Sequence, residues 1–139
     1  MNLLHIALAS SSEENADKFY RDLLRLEKAA PKALPSSLAR AIFNIDSDFS
    51  IINYMDKSLH FEVFVKRGEG LTGKDELSAR SDDAGRRRID HVCLAVADLS
   101  AFLEECRAMG IGVVQAPKGD YVVTFISDYD GNIFEIKQT

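Results

Sequence analysis

Apolar and polar residues alternate in several short stretches of this chain, and the same order of stretches occurs twice. LLHIALAS at residues 3–10 is echoed by IDHVCLAVAD at 89–98, and HFEVFV at 60–65 by IFEIKQ at 133–138. A period of two marks strands whose faces meet different surroundings. A helical pattern follows each opening strand. In the first half Ala16, Phe19, Tyr20, Leu23 and Leu24 fall at helical spacing, and Ser11 with Glu14 has the spacing of a capping box. In the second half Leu99, Phe102, Leu103, Cys106 and Met109 form the apolar stripe, Asp98 is a good N-cap and Gly110 a C-terminal stop. Pro31 and Pro35 mark a loop. Three strands then follow in each half, near 39–45, 49–55 and 59–65, and near 112–115, 121–127 and 133–138. Asp46-Ser47-Asp48, Asp56-Lys57-Ser58 and Asp130-Gly131-Asn132 supply turns.

Each half therefore reads β-α-β-β-β, and the fold class expected is α+β. A repeat this long, present only twice, signals paired modules rather than a solenoid. The chain of 139 residues reads as one domain, with module 1 over 1–66, a linker over 67–88 and module 2 over 89–139. The linker is polar and glycine-bearing, and its Arg86–Arg88 run reads as a solvated charge run.

The net charge of -5 argues against nucleic acid and against an anionic membrane surface as partners. No apolar run approaches the roughly 20 residues that span a bilayer, and the N-terminus lacks the pattern of a signal peptide. Two cysteines make no disulfide framework; Cys93 and Cys106 are expected to be buried thiols in a reducing compartment, with the cytoplasm as the default location.

The alternation also sorts the chemistry. Ile6 and Leu8 share one face of the first strand, and His5, Ala7 and Ala9 the other. In the echo, Val92, Leu94 and Val96 oppose His91, Cys93 and Ala95. In the closing strands Phe61, Val63 and Val65 oppose Glu62, and Phe134 and Ile136 oppose Glu135. A histidine among small residues suggests a cavity floor, because a packed core demands bulk. A carboxylate in an apolar strand is costly unless it is paired or holds a cation. If each sheet curls into a half-barrel and the two lie side by side, His5, Glu62, His91 and Glu135 meet as one metal site. Two imidazoles and two carboxylates suit Zn, Ni, Co, Mn or Fe(II), and the absence of thiolates argues against a closed structural zinc site. Cys93 reads as lining this cup without binding metal. His60 has no counterpart in the second half, where Ile133 stands, and reads as a neighbour of the site or a surface residue.

These stretches resemble the vicinal oxygen chelate superfamily, the glyoxalase I, bleomycin-resistance and dioxygenase group. The resemblance rests on the strands around His5 and His91, on ADKFYRDLLRL at 16–26, and on SDYDGNIFEI at 127–136. The family's helix reads A-x-x-F-Y-x-x-x-L-G; Ala16, Phe19, Tyr20 and Leu24 match it, and Arg25 replaces the glycine. Asp128 through Glu135 matches D-P-D-G-N-x-x-E, with Tyr129 in place of proline. The resemblance implies paired βαβββ modules forming a curled, half-barrel-like sheet around a divalent metal. His5, Glu62, His91 and Glu135 match the ligand pattern of its four-ligand branch, glyoxalase I and methylmalonyl-CoA epimerase.

The implied reaction is proton abstraction next to a carbonyl of a small-molecule substrate. Glu135 or Glu62 would move the proton, its pKa raised toward neutrality by a water-poor cup, and a homodimer is implied. Two alternatives stay open: an oxygenase or thiol transferase of the same superfamily, or a metal-free binding protein of the resistance type. A glutathione adduct or CoA thioester calls for cationic anchors, for which Arg40, Lys66, Arg67 and Arg86–Arg88 are available.

Overall fold

A computed structural model describes residues 3–43, 45–67 and 91–139. The expected linker lies outside the described residues except for Arg67, and Arg86–Arg88 lies outside with it. The fold is α+β with two multi-stranded sheets, and the chain divides into two compact units, Met1–Arg86 and Arg87–Thr139. No helix among the described residues is long and apolar enough to cross a membrane.

In the first unit β1 (Ile6–Ser10) leads into α1 (Glu13–Ala16), which continues as a π-helix over Asp17–Leu23. β2 (Glu27–Lys28), β3 (Lys32–Leu34), α2 (Ser36–Phe43), β4 (Phe49–Met55) and β5 (His60–Lys66) follow. The sheet order is β1-β5-β4-β2, with β3 also on β4; β1 runs parallel to β5 and the other pairings are antiparallel. Of the expected helical stripe Ala16, Phe19, Tyr20 and Leu23 are buried and Leu24 is half-buried, and Tyr20 packs on Tyr54 and Phe61 at ring separations of 5.3 and 5.4 Å. The cap is one residue later than expected. Ser12, not Ser11, accepts from the Asn15 backbone N–H at 3.1 Å, while the Ser11 hydroxyl accepts from the Asn15 side chain.

The strand expected over 39–45 is instead helix α2. Its residues Leu38, Ala39 and Ile42 satisfy helical spacing as well as the alternation suggested a strand. Ala, Leu and Arg favour the helix, and the Asp48 carboxylate accepts from the Ser36 backbone N–H at 2.7 Å at its start. The places beside β4 are taken by β2 and β3, from the stretch around Pro31 that reads as loop.

Arg25, where the family pattern has glycine, follows the helix with φ of 60°, in the left-handed region that favours glycine. The Arg25 guanidinium caps the Asp22 carbonyl in partial compensation. Arg25→Gly is therefore expected to stabilise the fold by about 0.5–1 kcal/mol, read as a rise in the urea midpoint at unchanged slope.

Behind the first sheet the Asp17 carboxylate accepts from the Tyr54 hydroxyl at 2.7 Å and from Lys28 and Arg21 at 2.9 Å each. Burial pushes its pKa up, but the Tyr54 and Lys28 hydrogen bonds and the Lys28 and Arg21 charges outweigh that and hold it below the ordinary value. A carboxyl depressed in the folded state contributes stability that is full above its unfolded pKa, about 3.9, and disappears as pH falls through the folded value. Stability is thus expected to fall below about pH 4, with Asp17→Asn less stable at neutral pH and flatter in that window, as measured by urea midpoints from pH 2 to 7.

The second unit follows the expected β-α-β-β-β order: β6 (Val92–Val96), α3 (Leu99–Ala108), β7 (Gly112–Lys118), β8 (Tyr121–Ser127) and β9 (Ile133–Gln138). Its sheet order is β6-β9-β8-β7, with β6 parallel to β9 and the other pairs antiparallel. Asp98 caps α3 by accepting from the Ala101 N–H at 3.0 Å, and Gly110 ends it with φ of 72°. Leu103 and Cys106 of α3 are buried, as are Leu94, Ile126, Phe134 and Ile136 of the sheet. Tyr129, the departure from the family's proline, donates its hydroxyl to the Met109 carbonyl at 2.8 Å and ties the β8–β9 loop to the end of α3.

Candidate metal-ligand pairs

Strand pairing sets the candidate site in each unit. In the first, Ile6 faces Phe61 and Ala7 faces Glu62; in the second, Val92 faces Phe134 and Cys93 faces Glu135. The repeat read from the sequence is therefore a repeat in ladder register. Phe61, Val63 and Val65 are buried and Glu62 is not, just as Phe134 and Ile136 are buried and Glu135 is not. Apolar residues pack behind each sheet, and the carboxylate is left on the open face with the histidine that starts the parallel neighbour.

The geometry follows. His5 Nε2 lies 3.6 Å from Glu62 Oε2, and His91 Nε2 lies 3.7 Å from Glu135 Oε2. Both distances exceed hydrogen-bond length. Two donors held about 2.0–2.2 Å from one divalent ion stand roughly 3–4 Å apart, so each pair has the spacing and chemistry of two ligands to one metal. Within each unit the set is a pair: no group of three or more His, Cys, Asp or Glu able to hold a metal occurs among the described residues.

The surroundings of the two pairs differ. In the first unit His60 contributes Nε2 to a 2.7 Å hydrogen bond with Asn53 Oδ1, which makes that nitrogen the donor, and its ring lies edge-on to His5 at 5.5 Å. His60 is thus a neighbour of the pair. Asn53 is not among the residues that the repeat marks; its signal in the sequence is a polar residue in an otherwise apolar strand, and the ladder places it directly opposite Glu62. In the second unit Phe125 stands opposite Glu135 and meets the His91 ring edge at 5.5 Å.

Glu135 has two partners that Glu62 lacks. The Cys93 thiol hydrogen-bonds its carboxylate, and Lys137 Nζ lies 3.5 Å from Oε1. Burial alone pushes Glu135 up, but the Cys93 hydrogen bond and the Lys137 and His91 charges together bring it below the ordinary carboxylate value. The expected upward shift is not found at Glu135, because a cation and a donor face its charge. Cys93 itself is pushed up by burial and by Glu135. It is exposed, not buried as expected, because it lies on the open face with Glu135; Cys106 is buried, and burial pushes its thiol up to about 11. Of the cations named as substrate anchors, Arg40 is paired with Asp46 at 3.3 Å.

No family model matches this sequence, and no curated protein matches it. Solved structures do. A glyoxalase family protein from Bacillus cereus is 12% identical with a TM-score of 0.69, over 99% of this chain and 95% of that one. The fosfomycin resistance protein FosX from Listeria monocytogenes, in a mutant complexed with Mn(II) and a dihydroxypropylphosphonic acid, is 14% identical with a TM-score of 0.62, over 98% and 88%. The trypanothione-dependent glyoxalase I of Leishmania major is 15% identical with a TM-score of 0.59, over 99% and 86%. The chain has the glyoxalase-type fold that these proteins share.

Proposed function

We propose that this chain is a divalent-metal-dependent isomerase, lyase or epimerase that moves a proton next to a carbonyl of a small-molecule substrate. The ligands are His5, Glu62, His91 and Glu135. The observation that carries this reading is the same His–Glu pair built twice, in the same register, on the open face of each sheet. Their two nitrogens and two carboxylate oxygens suit Zn, Ni, Co, Mn or Fe(II). A bound ion supplies Lewis acidity for the substrate oxygen.

The remaining chemistry belongs to the chain. Glu135 is held by His91, Cys93 and Lys137 and acts as the fixed carboxylate. Glu62 has the His5 imidazole beside it at 3.6 Å and no lysine or arginine partner among the described residues, so it is the less firmly held of the two carboxylates and the one that takes the proton from carbon and returns it. His60, tethered by Asn53, limits the swing of the His5 ring. The likeness to FosX supports a second reading, a resistance-type enzyme acting on a small phosphonate.

Elemental analysis of the purified protein, followed by turnover assays with hemithioacetals, acyl-CoA thioesters and fosfomycin, tests both readings. About one equivalent of a divalent metal with proton exchange or isomerisation supports the first, and turnover of fosfomycin alone supports the second. Absence of metal after reconstitution sinks both.

A further inference from the structure

A cavity of about 310 Å³ opens in the first unit where β1 begins and β4 turns into β5. Its walls include His5 and His60, the apolar side chains of Leu3, Leu4, Met55 and Leu59, and Lys57 at the tip of the turn. The volume is at the small end of the range for ligand pockets.

Leu3 and Leu4 are the most exposed large apolar residues described, at 81% and 77%, and both belong to this wall. Exposed leucines side by side at a cavity offer an aliphatic surface still in contact with water.

The turn also sorts its charges. Asp56 Oδ1 accepts from the Ser58 and Leu59 backbone N–H groups at 2.7 Å each and from the Ser58 hydroxyl at 3.0 Å, so this carboxylate oxygen is committed to the turn. Lys57 has no ion-pair or hydrogen-bond partner for its ammonium among the described residues. The cavity thus pairs apolar side chains with one ammonium that has no partner among the described residues, beside the turn-bound Asp56 carboxylate, and borders a candidate metal ligand.

We propose that this cavity binds the non-reacting part of the substrate, and that this part is an aliphatic chain bearing an anionic group that Lys57 recognises. The assignment deepens the proposed function, on which it rests through His5, by adding a substrate class. It also supplies a cationic anchor within the described residues, where Arg40 is paired with Asp46.

The probe is octanoate, titrated into the full-length protein with and without EDTA and followed by amide NMR shifts. Saturable shifts are expected at Leu3, Leu4, Leu59 and His60 in both conditions. Lys57→Glu should weaken binding about fivefold or more, Lys118→Glu should leave it unchanged, and octylamine should bind at least as weakly as octanoate binds to Lys57→Glu. The proposal is overturned if octanoate causes no shift there, if Lys57→Glu binds like the original, if Lys118→Glu weakens binding as much, if octylamine binds as tightly as octanoate, or if EDTA abolishes binding. Because the EDTA arm does not need a metal, a failure of the metal reading leaves this result readable by itself.

Discussion

Glu62→Ala and Glu135→Ala are each expected to lower divalent-metal affinity by about 100-fold or more, and His5→Ala and His91→Ala by a similar factor. Even groups that only support a ligand cost about 10–100-fold when removed, and a direct ligand costs at least as much. The symmetry is the informative part, because the two modules place their His and Glu in the same ladder register at nearly the same separation, 3.6 and 3.7 Å. Competition with a chromophoric chelator at fixed pH measures each variant. A wild-type affinity in Glu62→Ala, with loss only in Glu135→Ala, would reduce the set to one module and remove Glu62 from the site.

Loss through unfolding is separable from loss of a ligand, because both carboxylates lie on the open faces and outside the buried core. Cys93→Ala and His60→Ala serve as graded comparisons. Cys93 holds Glu135 and His60 flanks His5, so each is expected to cost about 10-fold.

The legible part of this molecule was the part where local pattern and burial agree. In β5, strict alternation gives Phe61, Val63 and Val65 to the core and Glu62 to the open face, and the same holds around Glu135. A period of two fixes the face and the repeat marks the corresponding residues of the two halves, but the closeness of His5 to Glu62 and of His91 to Glu135 needs the β1–β5 and β6–β9 pairings. The stretch 36–45 was not legible, because its apolar residues fit both periods and only the Asp48 contact and the packing of Ala39 decide for the helix. The short strands β2 and β3 were hidden for another reason. Two or three residues beside Pro31 carry no periodic signal, and pairing to β4 alone makes them strands. Side-chain partners across strands were also beyond reach: the link from Cys93 to Glu135 needs the register, and the tether of His60 to Asn53 needs the β4–β5 pairing.

Asp128→Ala is expected to destabilise the protein by about 3 kcal/mol, lowering the melting temperature by roughly 10 °C. Asp128 is 7% exposed, and its carboxylate accepts from the Asp130 and Asn132 backbone N–H groups at 2.9 Å each and from the Asn132 side chain at 2.7 Å. Alanine leaves those three donors without their acceptor in a half-buried loop, a cost larger than the mean worth of a hydrogen bond. The loop turns through Gly131 at φ of 84° and delivers β9 against both β8 and β6. A slip of one residue there would send Glu135 to the core face and Phe134 to the open one. The variant should therefore lose metal affinity as well as stability, although Asp128 is not a proposed ligand. Asp128→Asn, which keeps an oxygen for the two backbone donors, should recover most of both. Calorimetry and chelator competition on the two variants check this, and a destabilised Asp128→Ala that binds metal as tightly as the original would show that the loop does not set the position of Glu135.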